Sequence, residues 1–282
     1  MPSHLTHHPS EPPHPGAAGA HSAGMDGLLV LAVVVLALYF IGVVRRLRSG
    51  AAWSAFRSAS FPFGMGLVLA ALAPPLATLG HTDLRMHMVQ HLMLGMLGPV
   101  GIVLGAPVTL ALSQLPAPTA RRVVRVLHSR PARLVAHPVT ALALNIGGMA
   151  GLYLTPLFAR MLHDPALHLA VHVHFLAAGC VFSWAIAGTD PGPARPRDSQ
   201  RIAVLFGAIA AHATLAKAMF AYGFPRGTPF DIEAMQDAAK IMYYGGDLSE
   251  LLLAIALFAS LHAKRGQRVA KSPVRVAAIG RA

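Results

Sequence analysis

The chain is 282 residues long, 55% hydrophobic and only 12% charged, about half the charged content of an ordinary soluble domain, which is roughly 25%. That excludes a soluble globular protein. The 23 Lys and Arg against 11 Asp and Glu fall in short clusters between apolar runs, the pattern of cytoplasmic membrane-protein loops and not of a nucleic-acid surface. With one cysteine, Cys180, an intrachain disulfide or a thiolate pair for a metal is excluded.

In chain order, the first 26 residues carry His4, His7, His8, His14 and His21 among Pro, Ala, Gly and Ser, with no Lys or Arg. Such a stretch cannot bury a core and reads as a disordered tail. It also lacks the positive start of a cleaved signal peptide, so the first apolar run reads as a retained helix. A helix needs about 20 mainly apolar residues to cross the roughly 30 Å hydrocarbon layer. Seven runs qualify: Gly27 to Val44, Phe61 to Leu79, Met86 to Ser113, Pro138 to Leu154, Ala166 to Ala187, Ala203 to Tyr222, and Ile241 to His262. Pro74 and Pro75 should shorten the second run. Pro99 and Pro107 should kink or shorten the third, because proline removes a backbone donor.

The short loops alternate in charge. Arg45, Arg46, Arg48 and Arg57 follow the first run, Arg121, Arg122, Arg125, Arg130 and Arg133 the third, Arg195, Arg197 and Arg201 the fifth, and Lys264, Arg265, Arg268, Lys271, Arg275 and Arg281 the seventh. The opposite side has only Arg85, Arg160, Arg226 and Lys240, with most of the acids. Positive charge marks the cytoplasmic side. The expected architecture is therefore all-α: an extracytoplasmic tail over 1–26, a seven-helix transmembrane bundle over 27–262, and a basic cytoplasmic tail over 263–282, with the N-terminus outside and the C-terminus inside.

Ionisable side chains inside a bilayer are costly, so each is a functional candidate and its depth is informative. At about 1.5 Å per residue, His91 lies about 8 Å in from the outer end of its run, His172 about 9 Å, Asp247 about 9 Å and Lys217 about 8 Å. His87 and His91 are four apart, as are His168 and His172, which stacks two imidazoles on one helix face and suits metal ligation. His174 faces nearly opposite His172. His81 and Asp83 precede the third run, His212 lies near the middle of the sixth, and Glu250 follows one turn after Asp247. Gly95 and Gly98 would let a neighbouring helix approach. The plainer alternatives are histidines that merely pack, and an Asp247–Lys217 ion pair that fixes the bundle. His128, His137 and His262 sit among arginines at the inner surface and have no expected metal role.

Met86, Met88, Met93, Met96, Met161, Met219, Met235 and Met242 all fall in the outer loops or outer halves of the runs. Thioether suits Cu(I), and imidazole suits copper as well, so this grouping leans toward copper. Each methionine taken singly is also an ordinary core filler.

Several strings together resemble the CtaG family of cytochrome c oxidase assembly factors, the caa3-type, seven-span kind. They are His87-Met-Val-Gln-His91, Gly105-Ala-Pro107, Thr155-Pro156-Leu157, His172-Val-His174-Phe-Leu, Gly188-Thr-Asp190-Pro191 and His212. The resemblance covers roughly Phe61 to Leu251. It implies a multi-pass protein of the bacterial cell membrane needed to make an active haem-copper oxidase, handling copper for it, and carries over His87, His91, His172, His174, His212 and Asp247. The stretch from Asp237 to Asp247 has a glycine pair but not the tryptophan that the family carries near the start of its last span.

The expected function is a copper chaperone, not an enzyme. His87, His91, His168, His172 and His174 would be metal ligands; His81, Met93 and Met96 would be auxiliary ligands or an entry path; His212, Lys217 and Asp247 would support them. The ion, expected as Cu(I), would pass to an oxidase subunit or another copper-handling protein. The alternatives are a b-type haem held between His91 and His172 in a redox carrier, a seven-span zinc hydrolase, and a copper permease.

Overall fold

The structure is a computed structural model that describes residues 15–192 and 196–271. The tail histidines His4, His7, His8 and His14, the loop residue Arg195 and the final basic residues Arg275 and Arg281 lie outside the described residues. Every regular element among the described residues is a helix.

The first helix, α1 (Pro15–Arg48), takes in residues 15–26 as well as the first apolar run and ends on Arg45, Arg46 and Arg48. Next comes α2 (Ala55–Leu72), which stops just before Pro74 and Pro75, as proline chemistry requires. A helix of about two turns that hydropathy alone does not signal, α3 (Leu76–Thr82), precedes the third run.

That run is broken into four pieces: α4 (Leu84–Leu92), a π-helical turn over Met93–Leu97, α5 (Gly98–Leu104) and α6 (Pro107–Gln114). Pro99 cannot donate to Gly95 and its ring crowds that carbonyl, so the chain widens into a π turn immediately before it. At Pro107 the helix restarts after Ala106, whose φ of 52° is left-handed.

On the arginine-rich side run α7 (Ala117–Leu127) and α8 (Arg130–Val135), neither of which buries a residue. Then follow α9 (Pro138–Leu154), the short α10 (Leu157–Met161), α11 (Pro165–Ala187), α12 (Asp198–Tyr222) and α13 (Ile232–Lys271). Six helical stretches are long and apolar enough to cross a membrane: Gly24–Arg48, Ala55–Leu72, Leu84–Leu104, Pro165–Ala187, Asp198–Tyr222 and Ile232–Gly266. The apolar helix Pro138–Leu154 is shorter, at 17 residues.

The bundle is apolar on both sides of its helices. Val30, Phe63, Leu251, Ile255 and Phe258 face outward and are exposed, while Phe61, Val68, Leu152, Phe158, Leu205 and Leu257 are fully buried. This is how a helix reads when lipid and not water surrounds it. The α2–α5 contact is a close one, with Gly64 set directly against Gly101. Arg201, expected in an inner loop, is instead buried and donates to the Ile186 carbonyl from Nε at 2.8 Å, tying the start of α12 to the end of α11.

Candidate functional site: a buried histidine cluster

Two helices start in the same way. Asp83 caps α4, its side chain accepting from the Arg85 N–H at 2.8 Å, and Asp164 caps α11, accepting from Ala166 and Leu167 at 2.9 and 3.0 Å. An aspartate is a favourable N-cap because it satisfies orphan N–H groups and its charge complements the helix dipole. Each cap is followed at the same spacing by two histidines, so Asp-x3-His-x3-His occurs twice, at Asp83-His87-His91 and at Asp164-His168-His172. One turn of helix separates the histidines in each pair, placing both on one face.

The two faces meet. The His87 and His91 ring centroids are 4.5 Å apart and those of His168 and His172 4.3 Å. Across the helices, His91 lies 5.8 Å from His172, and His87 lies 6.2 Å from His168 and 6.3 Å from His172. His81 on α3 adds a fifth ring, 4.6 Å from His168. His87, His91, His168 and His172 are all at least nine-tenths buried. The cluster is walled by Phe158 against His87 at 4.9 Å and by Phe175 against His91 at 4.6 Å.

Backbone carbonyls set the tautomers. His87 Nδ1–H donates to the Gly80 carbonyl at 3.2 Å, and His172 Nδ1–H to the His168 carbonyl at 2.9 Å. A carbonyl can only accept, so in both rings the lone pair is on Nε2. Among the described residues, His87 Nε2 and both nitrogens of His91 have no hydrogen-bond partner. Buried polar atoms in that state are costly and uncommon. The rings lie tilted or edge-to-face, and among the described residues no three His, Cys, Asp or Glu side chains are already disposed to hold a metal ion.

Other expected site residues lie elsewhere. His174 points to α9, where its Nε2 is 3.2 Å from the Leu144 carbonyl. Met93 packs toward the α1–α2 cluster, and Met96 is buried. The Met88 sulfur accepts from the Tyr153 hydroxyl at 3.7 Å, and Tyr153 itself lies 5.7 Å from His91. Lys217 Nζ stands 5.6 Å over the Tyr243 ring and forms no ion pair with Asp247. His212 faces Glu250.

The family model of the cytochrome c oxidase caa3 assembly factor matches residues 37–264. The chain belongs to this family. The matched stretch contains all five clustered histidines as well as His212 and Glu250. Among curated relatives, uncharacterized proteins of Mycobacterium bovis and of Mycobacterium tuberculosis are each 35% identical over 213 residues, covering 73% of this chain and 32% of theirs. An uncharacterized protein of Mycobacterium leprae is 35% identical over 196 residues, covering 67% of this chain and 30% of its own. The chain thus spans about a third of the length of these relatives. No solved structure matches it.

Proposed function

We propose that this caa3 assembly factor binds copper, as Cu(I), in the histidine cluster and passes it to a subunit of the oxidase or to another copper-handling protein in the same membrane. The observation that carries the reading is the contiguous run of imidazoles from three helices, with His87 Nε2 and both His91 nitrogens buried and unpartnered among the described residues. Side-chain rotation at His87, His91, His168 and His172 would aim three or four nitrogens at one centre. The carbonyls of Gly80 and His168 orient the rings from behind, the usual role of a group behind a metal-binding histidine. Phe158, Phe175 and Tyr153 exclude water, so the ion would leave by ligand exchange with an incoming partner group.

In this reading the bundle lies in a bacterial cell membrane with seven spans, α9 being the seventh. At about 25 Å it is a little short of the hydrocarbon layer and would be met by local thinning or flanking residues. The arginines after α1, on α7 and α8 and at the end of α13 would lie inside, which puts the N-terminus outside and the cluster beneath the outer face.

The test is anaerobic Cu(I) titration of the detergent-purified chain against a chromophoric chelator. His87→Gln together with His91→Gln should abolish copper binding at the cluster. Unchanged stoichiometry in that variant would remove the site.

A further inference from the structure

Deeper in the bundle is a second polar contact that the cluster does not use. His212 on α12 and Glu250 on α13 are 0% and 4% exposed, and His212 Nδ1 is 3.7 Å from Glu250 Oε1. That is too long for a hydrogen bond. Among the described residues neither nitrogen of His212 nor Oε2 of Glu250 has a hydrogen-bond partner.

A pair serving only to lock two helices would close to about 2.8 Å and satisfy its remaining atoms. This one leaves several polar atoms unsatisfied where each is expensive. The chain nevertheless accommodates it specifically. A Cβ on Gly246 would overlap the His212 ring, so the glycine is what lets the imidazole lie against α13.

We propose that His212 and Glu250 form a second copper site, one stage deeper than the histidine cluster. Bonds of about 2 Å from one ion to an imidazole nitrogen and a carboxylate oxygen span 3.7 Å at a wide angle, with only small side-chain movement. The imidazole suits copper, and the positive charge of a bound ion would offset the cost of holding the Glu250 carboxylate in the bilayer.

The two sites are also linked along the chain. Leu92, next to His91, packs on Gly245, and His212 packs on Gly246, so both approach α13 at adjacent glycines. By helical rise, His212 is about 15 Å from the Tyr222 end of α12, whereas His172 is about 10 Å from the Pro165 end of α11.

This inference rests on the copper-handling reading, and the experiment separates the two. The full chain in detergent is titrated anaerobically with Cu(I), together with Glu250→Gln, His87→Gln/His91→Gln and the combination of all three. The result expected is two ions for the wild type, one for each of the first two variants and none for the combination. Glu250→Gln removes a buried charge and should keep the elution profile and thermal transition of the wild type. Glu250→Asp, one methylene shorter, should raise the dissociation constant of one site only, at least tenfold. If Glu250→Gln still binds two ions, the deeper site is overturned. If the wild type binds one ion, lost in His87→Gln/His91→Gln but kept in Glu250→Gln, the deeper site fails and the cluster stands. The converse pattern overturns the cluster and leaves the deeper site, and a wild type that binds no copper overturns both.

Discussion

Asp190 holds Thr109 from 81 residues away in sequence: its Oδ1 accepts from both the Thr109 backbone N–H at 2.7 Å and the Thr109 hydroxyl at 2.5 Å. Its other oxygen accepts from the Val108 N–H at 3.1 Å. The carboxylate, 3% exposed, is thus the cap of α6, supplied from a distant segment because Ala106, which occupies the N-cap position, is in the left-handed region and makes no side-chain bond. Beside it the Tyr39 hydroxyl donates to the Gly105 carbonyl at 2.9 Å. Gly105-Ala-Pro107 and Gly188-Thr-Asp190-Pro191 are therefore two halves of one clasp. Asp190→Ala strips the cap and leaves buried N–H groups unpaired, which should cost about 2 kcal/mol. A clearly lowered thermal transition with unchanged Cu(I) stoichiometry is the expected result. An unaltered transition would show that the clasp does not stabilise the fold.

Hydropathy made the long helices legible, since an apolar run of membrane length has few other uses. The runs ending at Tyr222, Ala187 and Leu154 end at those residues in the structure. It did not reveal α3, which is too short and polar to register, or the π turn, which is a local response of the helix to Pro99. The pairing of His87/His91 with His168/His172 was legible from spacing and depth. The double Asp-x3-His-x3-His pattern was present in the same letters and would have marked both helix starts by their capping aspartates. Helix rotation was not legible. Asp247 and Glu250 are three apart and lie on one broad face, and only packing decides that Glu250 meets His212 while Asp247 stays half-buried. His174 entered the expected site through the family resemblance, although a two-residue step turns it about 200° around the helix from His172.

His174 gives the sharpest contrast among the histidines. Its ring is exposed and bonds toward Leu144 on α9, and a Cβ on Gly148 would meet it. His174→Gln should therefore leave Cu(I) stoichiometry and affinity unchanged within about twofold, while His168→Gln weakens the cluster at least tenfold. Equal losses in the two variants would mean that α11 turns its other face to the ion.

Lys217 separates two accounts of its own role. A buried Asp247–Lys217 ion pair holding the bundle would cost about 3–5 kcal/mol when one partner is removed. In the structure Lys217 is exposed and makes a cation–π contact with Tyr243, a contact worth about 0.5–1 kcal/mol at an exposed site. Lys217→Gln should accordingly lower the thermal transition by no more than a few degrees and keep the bound copper. A collapse of the fold would restore the ion pair.

Two glycines on α2 make a matched test of how closely this bundle is packed. At Gly64 an added Cβ would fall 2.5 Å from the Gly98 carbonyl oxygen and from the Ile102 nitrogen, both backbone atoms that cannot swing away. At Gly66, half a turn on, an added Cβ would meet nothing within 4 Å. Gly64→Ala should force α2 off α5 and cost about 1–3 kcal/mol by overpacking. Gly66→Ala places a better helix former in open space and should stabilise by about 0.5–1 kcal/mol. Because α5 continues from the π turn that follows His91, the Gly64 variant should also weaken copper binding at the cluster, and the Gly66 variant should not. Thermal unfolding and Cu(I) titration of the pair in one detergent would read both effects, and equal behaviour of the two would contradict the α2–α5 contact.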